Sequence, residues 1–280
     1  MVKHPWQNKS NQAQHGFTLV ELVAVIVLLG LTSIGLVKFI AGSAEAYREV
    51  TRRDEVVQVG RFAIERVSRE LRAALPGSVR VSSNCIEFVP VIGASIYTRL
   101  PIAGLNAPAN DFEVINFSPQ PLIQSSISRA AVYTLAAQDV YSSNQHVLAI
   151  NFSSAVVNGG LLTLNFLTGA QQFSEASPGQ RIYFIDQPVS FCVVGSGAST
   201  QLNRYSQYGY SATQNTPPAN GELLAEFIQL LDEDPVIPFA FFAGTLQRSG
   251  TVYLDFRFLA RGTNNEWVRF HHSVSLRGSP

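Results

Sequence analysis

The feature that most constrains this chain is a run of 21 residues, Phe17 to Val37, in which Glu21 is the only ionisable side chain. A helix of this length spans about 30 Å, the thickness of the hydrocarbon core of a bilayer. A bare charge at membrane depth costs at least about 2.5 kcal/mol. The run therefore predicts a transmembrane helix, and Glu21 needs either a position at the membrane interface or a partner charge.

The residues ahead of this run predict its orientation and its processing. Lys3, His4, Lys9 and His15 occur there without any acidic residue. Basic residues before an apolar helix favour a cytoplasmic N-terminus and export of the remainder, so a bacterial inner membrane with a periplasmic domain fits best. A secretory signal peptide would place small residues after a shorter apolar core, whereas here Gly16 precedes the run. Cleavage after Gly16 would remove the polar leader and keep the helix.

The composition predicts a sizeable folded domain and excludes an electrostatic nucleic-acid binder. Of the 280 residues, 46% are hydrophobic, which supports a packed core. The chain carries 20 basic and 20 acidic side chains, so it offers no excess positive charge to nucleic acid. Residues 195–199, GSGAS, depart from the G-x-S-x-G nucleophile elbow, and no glycine-rich phosphate loop occurs. We expect a non-enzymatic protein without a cofactor.

The residues Gly16-Phe17-Thr18-Leu19-Val20-Glu21 resemble the prepilin processing motif of type IV pilins and type II secretion pseudopilins. The resemblance implies that a prepilin peptidase cuts after Gly16 and methylates the new N-terminus at Phe17. It also implies that Glu21 pairs with the N-terminal ammonium of a neighbouring subunit. Two buried opposite charges then replace two charges that are each costly alone. The alternative is that Glu21 lies at the cytoplasmic interface, as polar side chains near helix ends do.

The helical pattern continues beyond the membrane run without proline to Leu75. Apolar residues recur there at spacings of three, four and their multiples, which predicts one buried stripe: Val50, Val57, Ile64, Val67 and Leu71. Charged pairs such as Arg66 with Glu70 predict a solvated opposite face. Pro76 and Gly77 predict the end of the helix. The expected domains are a cleaved leader at 1–16, a transmembrane and assembly helix at 17–37, the periplasmic half of the helix at 38–75, and a β-rich periplasmic domain at 76–280.

The rest of the chain predicts antiparallel strands, and hence an α+β fold in which the second half of the helix packs on an antiparallel sheet, as in pilins. The segments TVYLDFRFL and EWVRFHHSVSL alternate regularly and are joined by the turn-rich ARGTNNE, which predicts a terminal hairpin. PVSFCVV and QLNRY predict a second hairpin. Residues 104–130 and 206–222 predict long loops. ELLAEFIQLL, at 222–231, is either a short helix or a buried strand.

Cysteines, histidines and clustered acids predict one disulfide and no metal site. Cys85 and Cys192 lack the spacing of zinc or thioredoxin-like motifs, so a disulfide is the simplest expectation in an oxidising compartment, with two buried thiols as the alternative. His271 and His272 are neighbours on a strand and point to opposite faces, so they cannot chelate one metal as a pair. Asp232–Asp234 lacks the EF-hand spacing, and solvated loop acids are favoured over a calcium site.

Residues 207–221, QYGYSATQNTPPANG, with Tyr205 just ahead of them, form a segment rich in tyrosine and amide side chains. Such side chains are able to contact a partner protein. A variable surface insertion explains the composition equally well and is the interpretation that we favour.

Three further segments indicate which group of pilins the chain resembles: RFAIERVSRELRAALPGSVRV, NCIEFVPV, and PVSFCVV with LNRY. They resemble minor pilins of the mannose-sensitive haemagglutinin (MSHA) type IV pilus over the N-terminal 90 residues and in patches beyond. The implied partners are the prepilin peptidase, other major and minor pilins, an inner-membrane assembly platform and the lipid bilayer. The alternatives are a minor pseudopilin of the J type in a type II secretion system, and a membrane-anchored periplasmic adhesin or binding module.

Overall fold

The computed structural model describes residues 16–116, 129–142, 145–196, 200–216, 218, 221–228, 237–245, 248–259 and 267–276. A long N-terminal helix is followed by antiparallel strands, so the α+β prediction is confirmed. The chain divides into two compact units, Met1–Arg53 and Asp54–Pro280. The segment predicted as a turn at 260–266 and the acidic cluster Asp232–Asp234 lie outside the described residues.

The first helix, α1, runs from Leu19 to Leu71. Its buried residues recur at helical spacing near its C-terminal end: Gly60, Ala63, Val67, Ser68 and Leu71. Val56, Val59 and Ile64 are half-buried against the same core. The prediction that the stripe begins at Val50 is wrong, because the Val50 side chain is 68% exposed.

The helix ends four residues before the predicted position at Leu75. The backbone N–H of Leu75 donates to the carbonyl of Val89 at 2.8 Å, and the N–H of Val91 donates to the carbonyl of Ala73 at 2.8 Å. Residues 73–75 thus pair with an extended segment instead of completing another helical turn. This pairing ends the helix before Pro76 is reached.

Fourteen strands and a second helix follow within the described residues. They are β1 Arg80–Ser82, β2 Cys85–Phe88, β3 Val91–Arg99, β4 Asp111–Ile115, β5 Arg129–Ala131, α2 Ala137–Tyr141, β6 Val147–Asn158, β7 Leu161–Phe166, β8 Arg181–Ile185, β9 Val189–Val194, β10 Gln201–Tyr205, β11 Glu222–Glu226, β12 Phe239–Phe242, β13 Thr251–Leu259 and β14 Trp267–Ser275. They form a sheet in the order β1-β2-β9-β10-β11, a sheet in the order β12-β13-β14, and a closed barrel in the order β3-β4-β7-β6-β5-β8.

Both predicted hairpins are confirmed. Strands β13 and β14 pair antiparallel along their full length, and β9 pairs antiparallel with β10. The alternation in β13 buries one face completely: Val252, Leu254, Phe256 and Phe258. On the same face of β14, the Phe270 ring lies so close to α1 that a Cβ at Gly60 would overlap it. Glycine at position 60 therefore allows the helix to approach the sheet.

Two segments differ from their predictions. The loop expected at 104–130 contains β4, which pairs with both β3 and β7. Its alternating sequence DFEVI is short and lies among turn-forming residues, so the sequence pattern did not predict a strand there. The ambiguous segment that begins at Glu222 forms β11, an exposed edge strand in which only Ala225 is buried. The strand alternative is therefore confirmed over the helix, but its predicted burial is wrong, because β11 lies at the edge of the sheet.

The barrel is an insertion within one antiparallel pair. Strands β2 and β9 are direct neighbours, with Phe88 opposite Val189. All six barrel strands lie between these two residues in the sequence. Aromatic side chains fill the barrel interior: Phe112, Phe152, Phe166, Phe173 and Phe184. The barrel therefore has a packed core of its own, separate from the core beneath α1.

Candidate functional site: the N-terminal segment

The first turn of α1 is capped by Thr18. The backbone N–H of Glu21 donates to Oγ1 of Thr18 at 3.2 Å, and the N–H of Leu22 donates to the Thr18 carbonyl at 3.1 Å. Threonine followed three residues later by glutamate is the pattern of a capping box. The T-x-x-E spacing indicates this role, which we did not predict from the sequence. The helix thus starts two residues after Phe17.

Glu21 lies in the first turn of α1, where the unpaired backbone N–H groups favour a negative charge. Its side chain is exposed, and within the described part of the chain it forms no ion pair. Phe17 is 80% exposed, and nothing lies within 4 Å of a Cβ built at Gly16. Among the described residues, none therefore covers Phe17 or the Glu21 side chain.

The helix that follows is apolar on all sides. Large hydrophobic side chains from Leu19 to Ile40 are exposed. An 18-residue window of α1 has a mean hydropathy of 2.5, and none of it is buried. By length and composition this helix can cross a membrane.

The structure bonds Cys85 to Cys192. Their Cα atoms are 4.1 Å apart, and the two residues lie directly opposite each other on β2 and β9. Both side chains are buried, and Tyr205 packs against them. The bond links the two strands three residues before Phe88, where β2 ends and the chain continues into the barrel.

A buried ion pair lies beside the disulfide. Glu87 is 1% exposed, and its Oε2 accepts a hydrogen bond from Nε of Arg80 at 2.5 Å. Its Oε1 accepts one from the Tyr208 hydroxyl at 3.0 Å. The other Arg80 nitrogens donate to the carbonyls of Ser211 and Ala212, each at 2.8 Å. The carboxylate and the guanidinium are therefore both satisfied without water.

The tyrosine-rich segment packs on the domain through its tyrosine side chains, and its interpretation as a variable surface insertion stays a prediction. We call residues 206–216 the strap. Burial raises the pKa of Tyr208, and the charge of Glu87 raises it further. The Tyr210 hydroxyl donates to the carbonyl of Asp186 at 2.6 Å, and the Arg129 guanidinium lies 4.3 Å from the Tyr210 ring centroid. Burial also raises the pKa of Tyr210. The strap thus contacts both the five-stranded sheet and the barrel.

The charged face of α1 is only partly solvated. Glu70 accepts a hydrogen bond from Nε of Arg66 at 2.6 Å, as the i,i+4 spacing predicted. It also accepts one from Nε of Arg204 on β10, at 3.1 Å. No local sequence pattern indicated this second bond, because the two residues are 134 positions apart. Glu70 therefore attaches the end of the helix to the sheet.

The described residues include no cluster of three or more side chains able to hold a metal ion. His271 lies opposite Asp255 and His272 opposite Leu254, so the two imidazoles project from opposite faces of β14. The acidic residues Asp232–Asp234 lie outside the described residues, and their solvated state stays a prediction.

Comparison with known protein families identifies the N-terminal segment. Residues 11–37 match the model of the prokaryotic N-terminal methylation motif. No curated protein and no solved structure matches the chain significantly. The matched segment contains Gly16, Phe17, the capping Thr18, Glu21 and the apolar helix. The chain therefore carries a prepilin-type N-terminal motif, which supports a type IV pilin-like protein, either a pilin or a pseudopilin, and implies processing by prepilin peptidase.

Proposed function

We propose that this protein is a minor pilin of an MSHA-like type IV pilus, resembling MshO, with no enzymatic activity. The observation that carries the proposal is the methylation motif at residues 11–37, which includes the start of α1. The β-rich domain that follows is much larger than a domain that only covers the buried stripe of the helix. Such bulk suits a subunit that primes assembly or lies near the tip better than one repeated along the shaft. The globular domain is then periplasmic until the subunit enters the filament.

Glu21 supplies the assembly contact in this proposal. Once the leader is cleaved after Gly16, the ammonium of Phe17 on one subunit and the carboxylate of Glu21 on the next are opposite charges in an apolar surrounding. Each is costly alone, and together they compensate one another. Tip subunits of related systems tend to lack this glutamate. Because this chain retains it, we place the subunit inside the priming complex with at least one subunit above it.

A deletion strain tests the assignment. Loss of surface pili, measured in the sheared fraction, is the expected result, with secreted enzymes unaffected. Loss of secreted enzymes with normal pili would instead indicate a J-type pseudopilin, and intact pili with lost adhesion would indicate a binding module.

Complementation of that strain isolates Glu21. Wild-type protein is expected to restore pili and Glu21→Ala to fail at equal protein level. Glu45→Ala is the matched control, since Glu45 is an exposed glutamate on the same helix whose ion pair with Arg48 is 3.7 Å long. Normal piliation by Glu21→Ala would contradict the pairing role.

A further inference from the structure

The disulfide encloses the whole barrel in one covalent loop. Cys85 and Cys192 are 107 positions apart, and every barrel strand, from β3 to β8, lies between them. Helix α1 and β1 precede the loop, and β10 to β14 follow it. A covalent path from the N-terminal helix to the terminal hairpin therefore crosses from Cys85 directly to Cys192 and leaves out the barrel.

The barrel has the internal packing that such a loop needs to stay folded when its surroundings do not. Its strands close on one another, so the backbone hydrogen bonds that pair one barrel strand with the next are made within the loop. Its aromatic core contains no residue from α1 or from the two open sheets. Its attachments to residues outside the loop include the apolar contacts of Val140, Tyr141 and Ile185 with Leu75, and the contacts of the strap. They also include two hydrogen bonds, from the Val91 N–H to the Ala73 carbonyl at 2.8 Å and from the Thr134 hydroxyl to the Pro76 carbonyl at 2.7 Å.

We propose that the Cys85–Cys192 disulfide is a mechanical bypass, which lets the helix and the open sheets be stretched or unfolded while the barrel stays folded and tethered. Tension applied through α1 and the C-terminal strands reaches the barrel only through its non-covalent attachments. When those contacts break, no force acts along the barrel backbone. The relevance to a filament under load rests on the proposed function, whereas the bypass itself is a property of the fold.

Single-molecule pulling on the full-length protein in detergent micelles tests the bypass. Handles are attached to the two chain ends through peptide tags, so that neither cysteine is used. The oxidised protein is expected to release only the residues outside the loop. After the helix and sheets are stretched, a reductant is added at low force. Subsequent loading is expected to release about 350–390 Å more, from 107 residue steps at about 3.3–3.6 Å each, in a separate later step.

The timing of that release decides the question. A discrete step at higher force shows that the barrel was still folded when its surroundings were stretched. Gradual lengthening at the moment of reduction would show that the barrel had already unfolded, and would overturn the proposal. Release of the extra length by the oxidised protein would overturn it as well.

Two variants serve as controls. Cys85→Ser/Cys192→Ser is expected to release the extra length without reductant. If that variant does not fold, the experiment on the wild-type protein still tests the proposal. A handle inserted at the Gly159–Gly160 turn, whose glycines have open space around them, directs force into the barrel. It is expected to unfold the barrel in the oxidised protein. These results are independent of piliation, so failure of the bypass and failure of the pilus assignment are separable.

Discussion

At the scale of single residues, the N-terminal motif combines a processing signal with a helix start. Thr18 caps α1, and the amide of Glu21 is its hydrogen-bond donor. The resemblance to prepilins predicted the importance of Gly16, Phe17 and Glu21. It gave no role to Thr18, whose function follows from local hydrogen bonding alone.

Replacement of Thr18 by alanine is expected to fray the first turn of α1. Removal of an N-cap hydroxyl costs about 1 kcal/mol of helix stability, whereas Thr18→Ser keeps the acceptor. Hydrogen exchange at the Glu21 amide, measured in micelles, checks this: protection is expected to fall in Thr18→Ala and to persist in Thr18→Ser. Unchanged protection in Thr18→Ala would show that the cap contributes nothing.

Gly60→Ala is expected to destabilise the domain by about 1–3 kcal/mol, because the added methyl overlaps the Phe270 ring. Chemical unfolding measures the loss. Gly42→Ala is the control, since no atom lies within 4 Å of a Cβ at that position. Combination of Gly60→Ala with Phe270→Leu is expected to recover part of the stability. A stability of Gly60→Ala equal to that of the wild type would refute the close approach.

At the scale of elements, the strap links the sheet to the barrel through its tyrosines. Tyr208→Phe removes a hydroxyl that donates to the buried Glu87 and lies 2.6 Å from Oγ of Ser190. We expect a loss of about 1–3 kcal/mol, the cost of leaving buried polar groups unpaired. Tyr253→Phe, at a partly exposed ring on β13, is the control and is expected to change little. Equal unfolding curves for the two variants would contradict the role of the strap.

The same tyrosines predict a loss of stability at alkaline pH. Burial raises the pKa of Tyr208 and of Tyr210 in the folded state above the unfolded value of about 10. A raised folded pKa means that the unfolded state loses its protons first, so the contribution of these tyrosines to stability is constant below about pH 10 and falls above it. Urea unfolding at a series of pH values measures this fall. The Tyr208→Phe/Tyr210→Phe variant is expected to show a shallower fall, and an identical slope would contradict the assignment.

Elements with a strong local pattern were predictable, and elements that depend on distant pairing were not. The alternation of β13 and β14 indicated both the strands and their buried faces. The barrel was missed, because its closure joins β3 to β8, which are far apart in the sequence. Likewise, the bond between Glu70 and Arg204 left no local signal.

At the scale of the whole molecule, the chain combines a prepilin-type helix with a globular domain that carries an inserted barrel. The helix and the general α+β class were predictable, because membrane length and strand alternation are local properties. The insertion was not, since the adjacency of β2 and β9 becomes visible only when the sheet is assembled. The disulfide lies at that adjacency, where it encloses the inserted barrel.

We propose that this chain enters a filament pathway through processing after Gly16. The most direct measurement is the intact mass and N-terminal residue of the protein isolated from its native membrane, with and without the prepilin peptidase. We expect a chain that begins at methylated Phe17 only when the peptidase is present. A chain that keeps residues 1–16 in both strains, or that is cut C-terminal to α1, would contradict it.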